Sequence, residues 1–572
     1  MPGFFITNEK NASTAFRKIA RTSLLHDDAI VDGWTVSRDV LDRFGEHKVF
    51  FEDADILVIT DGIITNAHHL GILEHPEGLG GWIRDQRKTD PLFFKRFCGS
   101  FSGAIWDREA KEWTIYTSPT GDRAVFYWLD AEKQRVIVGS QMNFVTDTMK
   151  RLGIPRIPDE QGLKNFLNFG YFTDTHTGVQ GVRRLYPGDY LSLRAAYAET
   201  KSYITFAEKN LPDKNIEAAI TSLHEAFMST LEDGVFWNQR YGYTGLVDLS
   251  GGADTRIIYF ALQHLAPKSF ETLTYAQIGS RDHTIAKRIA QDANTPWHFM
   301  ALDSPQFLTE VDTLMLMNNG VSYYFGITGG KQMLEKLASS QYGVEWTGIA
   351  GDIHEGSMLT ENGEQVPQVR IERFRLSRHF PYMPTKGNAD ISRFATNDRF
   401  WFVTRGFLAA ASTNFIRQYY TEPLMPLVDN AFLRELFDIS WKQRVHDKIQ
   451  MRWLKREFPE SVKYPHSGTG LPLSREFYPW HVLERKIHTA FSVIKAKRKG
   501  TPTVNNMNPL DYWWETQEKI REELIRYYRD SISAVRGEEM QSIVRELFER
   551  GAHFVDRGLA LSIISYYKNY LD

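Results

Sequence analysis

The stretch that most constrains this chain is YTGLVDLSGGADTRIIYF, residues 243 to 260. An apolar run from Leu246 to Leu249, broken by one charge at Asp248, stops at Ser250, Gly251 and Gly252. That pattern predicts a buried strand ending in a turn. From Asp254 onward Ile257, Ile258, Ala261, Leu262 and Leu265 fall on one helical face, with Asp254 or Thr255 placed to cap the helix start. A strand, a glycine loop and a helix in succession offer unpaired backbone N–H groups and a positive helix end to an anion, so phosphate is the expected ligand. No lysine follows the glycines and there is no GxGxxG, which excludes the two commonest phosphate-loop signatures. A Gly-Gly turn between a strand and a helix is also an ordinary structural feature.

The surroundings favour the binding reading. TLTYA (272–276), a helical pattern at 282–293 and WHFMAL (297–302) alternate strand with helix, as parallel βαβ units do. Helical patterns near 304–318 and 329–339 lead to the strand VEWTG (344–348) and the loop IAGDIHEGS. Upstream, a polar linker at 206–215 precedes a helix predicted over 216–231. Residues 1–205 instead carry short apolar strands between turns, an antiparallel pattern.

The chain has 572 residues, 42% hydrophobic and 24% charged, enough for two to four globular domains. A net charge of −3 excludes a nucleic-acid footprint. With Cys98 alone, no internal disulfide or multi-cysteine metal site can form. No apolar run reaches the ~18 residues of a membrane span, and the expectation is a cytoplasmic chain without a membrane partner.

SGGADT resembles the SGGxDS pyrophosphate loop of the N-type ATP pyrophosphatases. DGIITN (61–66), FSGAIWD (101–107), SPTGDRAVFYW (118–128), VGSQM (138–142) and GVRRLYPGDYLSL (181–193) together resemble the glutaminase domain of the asparagine synthetase-like (class B) superfamily, in its order. The resemblance runs to about residue 475 and implies an α/β chain: an N-terminal Ntn-like α+β antiparallel-sheet domain over 1–205, then over 212–572 a parallel-sheet ATP-pyrophosphatase domain (adenine nucleotide α-hydrolase-like) with a helical C-terminal extension. It implies ATP and Mg²⁺. Leu249, Ser250, Gly251, Gly252, Asp254, Thr255, Thr347 and Gly348 would hold the nucleotide, and Asp254 with Asp352 the metal. Taken alone, Asp352 reads more readily as a turn residue; beside Asp254 and the matching order, the metal reading is preferred.

In DKIQMRWLKREFP (447–459) the resemblance places Lys448 on the phosphates with Arg452 in support, the alternative being an exposed i, i+4 pair. The lysine that stabilises the leaving pyrophosphate falls near Ser467, and Lys463 is the nearest candidate. The family's proton-handling position holds Ile349, which leaves His354 and Glu355 as candidate bases or simply a solvated pair. The basic run at 495–499 reads as a solvated helix end, and 511–532 as one amphipathic helix packed into the core.

Three departures concern the glutaminase half. Pro2 stands where the family has its catalytic cysteine and carries no nucleophile; Asp61, Gly62 and Ile63 replace its glutamine-binding NGE turn; its Arg-Gly-Pro-Asp segment is missing. Cys98 reads as a small buried hydrophobe. The implied activity is an AMP-forming ligase joining a carboxylate to an amine, small molecule or peptide, that does not come from glutamine, close in logic to β-lactam synthetases and lasso-peptide cyclases, with a biosynthetic-pathway protein as possible partner. The alternatives are an amidotransferase supplied with free ammonia or by a separate glutaminase, and a non-catalytic nucleotide-binding scaffold.

Overall fold

A computed structural model describes residues 2–10, 12, 19–20, 22–195, 197–204, 211–326, 329–337, 339–351, 375–377, 379, 400, 402–445, 448–473 and 506–572, with scattered positions among 487–502. The first half is two facing six-stranded sheets. Strands β1 (Gly3–Thr7), β2 (Leu24–Val31), β3 (Trp34–Leu41), β4 (Phe50–Glu52), β5 (Ile56–Ile64), β6 (Gly99–Asp107), β7 (Glu112–Thr117), β8 (Phe126–Asp130), β9 (Arg135–Gly139), β10 (Val182–Arg184), β11 (Asp189–Arg194) and β12 (Tyr197–Ser202) order as β10-β8-β9-β1-β3-β2 and β12-β11-β7-β6-β5-β4. Every pairing in them is antiparallel.

The two-residue period of a strand builds the layers. In β1, Phe4 and Ile6 join the core between the sheets while Phe5 joins the core beyond; in β5, Leu57 and Ile59 point inward and Ile56 and Val58 outward. Trp34, Trp106 and Trp113 fill the inter-sheet space, with ring centroids 5.4–5.8 Å apart. Helices α1 (Gly78–Arg87), α2 (Met142–Arg151) and α3 (Glu160–Phe169) cover the outer faces.

In the second half α4 (Ile216–Tyr241), β13 (Thr244–Asp248), α5 (Ala253–Leu265), β14 (Phe270–Ala276), α6 (Arg281–Asp292), β15 (Trp297–Ala301), α7 (Val311–Met317), α8 (Gly329–Lys336), β16 (Tyr342–Trp346) and β17 (Glu422–Leu424) build a parallel sheet of order β15-β14-β13-β16-β17. The chain moves outward from β13 to β15 and then restarts on the other side at β16. Between β13 and β16 the crossovers diverge, which opens a crevice at the strand C-termini.

Two elements differ from the sequence reading. Helix α4 runs ten residues past the predicted end at 231, because Leu231, Val235 and Trp237 continue its buried face, and Gly234 lets it pass close to Trp346, where a Cβ would lie 2.9 Å from the ring. The single helix predicted over 511–532 is two, α11 (Leu510–Thr516) and α12 (Glu518–Ser531), broken at Gln517 (φ −96°, ψ 78°). Arg521 takes the carbonyls of Trp514 and Glu515 freed by the break.

The C-terminal helices are core rather than an appendage. After α13 (Glu538–Arg550), α14 (Phe554–Tyr566) is buried on all sides, its Tyr566 hydroxyl accepts a hydrogen bond from Gly178 N of the first half at 2.8 Å, and its Gly558 lies against Phe325. Helices α9 (Asn430–Phe437) and α10 (Lys448–Glu457) flank α4. No described helix is long and apolar enough to cross a membrane.

Candidate active site at the sheet switch point

The loop after β13 is held from within. Ser250 N donates to Thr255 Oγ1 at 3.1 Å, the two hydroxyl oxygens lie 3.0 Å apart, and Gly252 N donates to Ser250 Oγ at 3.1 Å. Gly252 is the N-cap of α5, and no side chain caps this helix. The predicted cap at Asp254 or Thr255 is therefore corrected: both lie inside the first turn, and the N-cap position is a glycine without a side chain. Gly251 N donates to Asp282 Oδ1 at 2.9 Å, and burial pushes the Asp282 carboxyl above its ordinary range.

The loop after β16 closes on the same turn. A Cβ on Gly348 would lie 2.8 Å from Thr255 Cγ2, and one on Gly351 would lie 2.4 Å from Asp254 Cγ. Both positions need glycine because the two strand ends approach backbone to side chain. Ala350 sits between them at φ 63°. The resulting cleft holds about 400 Å³ and is lined by Ser250, Gly252, Asp254, Thr255, Asp282 and Gly348, with Ile349 as an apolar wall and Arg405 and Arg417 also in the lining.

Two buried arginines rigidify it. Arg256 donates to the carbonyls of Gly251, Ser461, Tyr464 and Pro465 at 2.6–3.2 Å, and Ser467 N donates to Gly251 O at 2.9 Å, so segment 461–467 is fastened to the loop. Beneath the floor Arg417 grips both oxygens of Asp248 at 3.2 and 2.9 Å, Tyr275 Oη at 3.0 Å, and Glu345. Burial raises the Asp248 carboxyl against the pull of Arg417 and pushes Tyr275 up to about 12.

Of the residues expected at this site, Leu249, Ser250, Gly252, Asp254, Thr255 and Gly348 line the cleft, and Gly251 is in the same loop. Thr347 does not line it. Its N and Oγ1 both donate to Leu424 O, at 2.9 and 3.3 Å, extending the β16–β17 ladder. Lys463 is exposed and away from the lining, although its segment is the one Arg256 fastens. Arg452 is exposed as well; α10 reaches the site through Gln450, which donates to Asp254 Oδ1 at 3.2 Å. Asp352, His354 and Glu355, and the side chain of Lys448, lie outside the described residues. The sequence alone does not single out Asp282, Glu345, Arg417 or Gln450, since each takes its meaning from a partner distant in the chain. Asp248, the one charge in an apolar run, is the visible hint.

In the first half Pro2 is buried, and its carbonyl accepts from Gln141 Nε2 at 2.7 Å. Asp61, in place of the turn expected to bind glutamine, accepts from Arg123 at 2.8 Å, and Arg123 also pairs with Glu422 of β17. Glu422 in turn pairs with Lys48, and Arg123, Glu422 and Lys48 are all buried. Ile63 lies in the core. Cys98 hydrogen-bonds to Asp429, and burial and the Asp429 and Asp233 charges push its thiol well up, so it stays protonated at neutral pH.

Residues 87–204 match the family model of the glutamine amidotransferase domain. Over 175 residues, 30% of this chain, the sequence is 27% identical to proteins of Mycobacterium bovis and Mycobacterium tuberculosis assigned by name as glutamine-hydrolysing asparagine synthetases. The match spans 26% of their length, about a quarter. A glutamine phosphoribosylpyrophosphate amidotransferase from B. subtilis, complexed with ADP and GMP, aligns over 47% of this chain and 77% of its own, at 10% identity and a TM-score of 0.22, too low to carry an argument. The chain is thus distantly similar to asparagine synthetase-type amidotransferases, and its first half carries their amidotransferase signature.

Proposed function

We propose that the protein is an ATP-dependent ligase that adenylates a carboxylate and transfers the acyl group to an amine that glutamine does not supply. The observation that carries this reading is the meeting of two glycine turns, 250–252 and 348–351, around Asp254 at an uncapped helix start. Ser250, Thr255 and the first-turn N–H groups of α5 would hold the triphosphate. A substrate carboxylate oxygen attacks the α-phosphorus and pyrophosphate leaves; the amine nitrogen then attacks the acyl carbon, AMP leaves, and the nitrogen gives up a proton.

Mg²⁺ fits the donor set in part: Asp254 faces the cleft where a Cβ on Gly351 would intrude, and Asp352 would supply the second carboxylate. When bound, Mg²⁺ neutralises phosphate charge. Ile349 provides an apolar wall that keeps water from the activated acyl group.

The amine reading is supported by the other half. Pro2 supplies no nucleophile, Ile63 is in the core, and Asp61 is taken by Arg123. The exposure of Lys463 favours a second reading, a MgATP-binding scaffold without turnover. Incubation with ATP, Mg²⁺ and a panel of carboxylic acids and amines separates the two. AMP formation that falls by orders of magnitude in Asp254→Asn supports the ligase; tight MgATP binding with no AMP from any pair supports the scaffold.

A further inference from the structure

Away from the cleft, the two halves meet at a cluster that neither the ligase chemistry nor the family match accounts for. His68 and His69 lie on the turn Thr65–Leu70 that follows β5, in the first half. Asp233 lies in α4, within the stretch beyond residue 231 that the periodicity does not predict to be helical. Both imidazole Nε2 atoms lie beside the same carboxylate oxygen: His68 Nε2 is 3.2 Å and His69 Nε2 3.1 Å from Asp233 Oδ1. One donor atom from each of the three lies within 4.8 Å of the others.

We propose that His68, His69 and Asp233 form a binding site for a divalent transition-metal cation of the Zn²⁺ class, which staples the amidotransferase-like half to the parallel-sheet half. The donor set is the first reason. Two imidazole nitrogens and one carboxylate suit Zn²⁺ and its borderline neighbours, not Mg²⁺ or Ca²⁺, which take oxygen. Spacing is the second. Metal–ligand bonds of about 2.0–2.1 Å at the tetrahedral angle put neighbouring donor atoms roughly 3.3 Å apart, and the two nitrogen–oxygen separations, 3.1 and 3.2 Å, are close to that edge length. Three protein ligands leave a fourth position for water.

The third reason is that the site is held in shape. His68 stacks on Phe236 at a centroid distance of 4.2 Å and meets Trp237 edge-on at 5.9 Å, both from α4. Trp237 Nε1 donates to Thr65 O at 2.7 Å, which fixes the turn carrying the histidines to the helix carrying the aspartate. The fourth is charge. The Asp233 side chain is 5% exposed and has no Lys or Arg ion-pair partner among the described residues.

None of the three residues lines the nucleotide cleft, so the site is testable apart from the ligase reading. The experiment is equilibrium dialysis of metal-stripped full-length protein against ZnCl₂, with bound zinc counted by mass spectrometry and thermal unfolding followed in parallel. His69 is the exposed member, so His69→Ala leaves the packing of the turn in place; Asp233→Asn keeps the side-chain shape and removes the carboxylate donor. The expected result is one Zn²⁺ per chain and a rise in Tm for the native protein. Each variant should bind more weakly by at least roughly ten-fold and lose the Tm response, while Asp233→Asn without metal melts no lower than the native protein. Co²⁺ in place of Zn²⁺ should give visible absorption in the native protein that both variants lack. No zinc bound by the native protein at 100-fold molar excess, or equal binding by the native protein and both variants, would overturn the proposal and leave the cluster as hydrogen bonds to a shared carboxylate.

Discussion

Replacing Glu422 by Ala should cost about 3–5 kcal/mol of stability. Glu422 sits on the last strand of the parallel sheet, fully buried, and pairs with Lys48 and Arg123, both from the other half. Arg123 keeps Asp61 as a second carboxylate, at 2.8 Å, whereas Lys48 retains a single bond to Leu41 O at 2.9 Å. The buried ammonium then escapes by losing its proton. With an ordinary pKa of about 10.4, a lysine held neutral at pH 7 costs about 4.6 kcal/mol, near the top of that range. At about 2.1 cal/mol/K of unfolding entropy per residue, the change lowers Tm by roughly 3–7 °C, depending on whether the whole chain or its second half unfolds as a unit. Calorimetry measures this, and Lys48→Met in the same chain should recover most of the loss, since it removes the stranded charge. Burial raises the Glu422 carboxyl, but Arg123 and Lys48 outweigh it and hold it below the ordinary range. Its contribution is therefore complete above the unfolded carboxylate pKa and disappears as pH falls through the folded one, and the variant should lack that part of the acid titration. A loss under about 1 kcal/mol, or a double variant no more stable than Glu422→Ala, would refute this reading of the interface.

Arg256→Met should destabilise by roughly 3 kcal/mol, because it strands the carbonyls of Tyr464 and Pro465 and leaves Gly251 O with Ser467 N as its donor; faster proteolysis at 461–467 with unchanged cleavage elsewhere would show the fastening directly. Purified protein should release no glutamate from glutamine above the uncatalysed rate, and Pro2→Cys should not restore release, since Ile63 and the Asp61–Arg123 pair occupy the positions that would orient the substrate. Glutamate release blocked by a thiol-directed alkylator would show instead that Cys98 is active. Gly351→Ala should keep stability within about 1–3 kcal/mol of native but weaken MgATP binding, measured by calorimetry, because the added Cβ lies 2.4 Å from Asp254 Cγ.

What the sequence carries is local. The strand β13, the Ser250–Gly252 turn and helix α5 follow from periodicity and glycine placement, and the alternating residues of β1 and β5 announce a sheet with both faces covered. Long-range pairing is what it conceals. Nothing near Gln450 marks it as the donor to Asp254, and nothing near Arg417 shows that it closes on Asp248. Thr347 is another case: the register places it at the loop, while the structure shows its hydroxyl donating to Leu424 O, a pairing nothing nearby in the sequence marks. The break at Gln517 is hidden for a different reason. The helical pattern runs through it, and the bonds from Arg521 to the Trp514 and Glu515 carbonyls that accompany the break leave no mark in that pattern.

The proposed ligase splits ATP between its α- and β-phosphates in the cleft around Asp254. Exchange of labelled pyrophosphate into ATP, driven by a carboxylic acid in the absence of any amine, reads that step alone. Acid-dependent exchange is expected in the native protein and should disappear in Asp254→Asn, with AMP and never ADP as the nucleotide product. Release of ADP, or exchange that persists in Asp254→Asn, would contradict it.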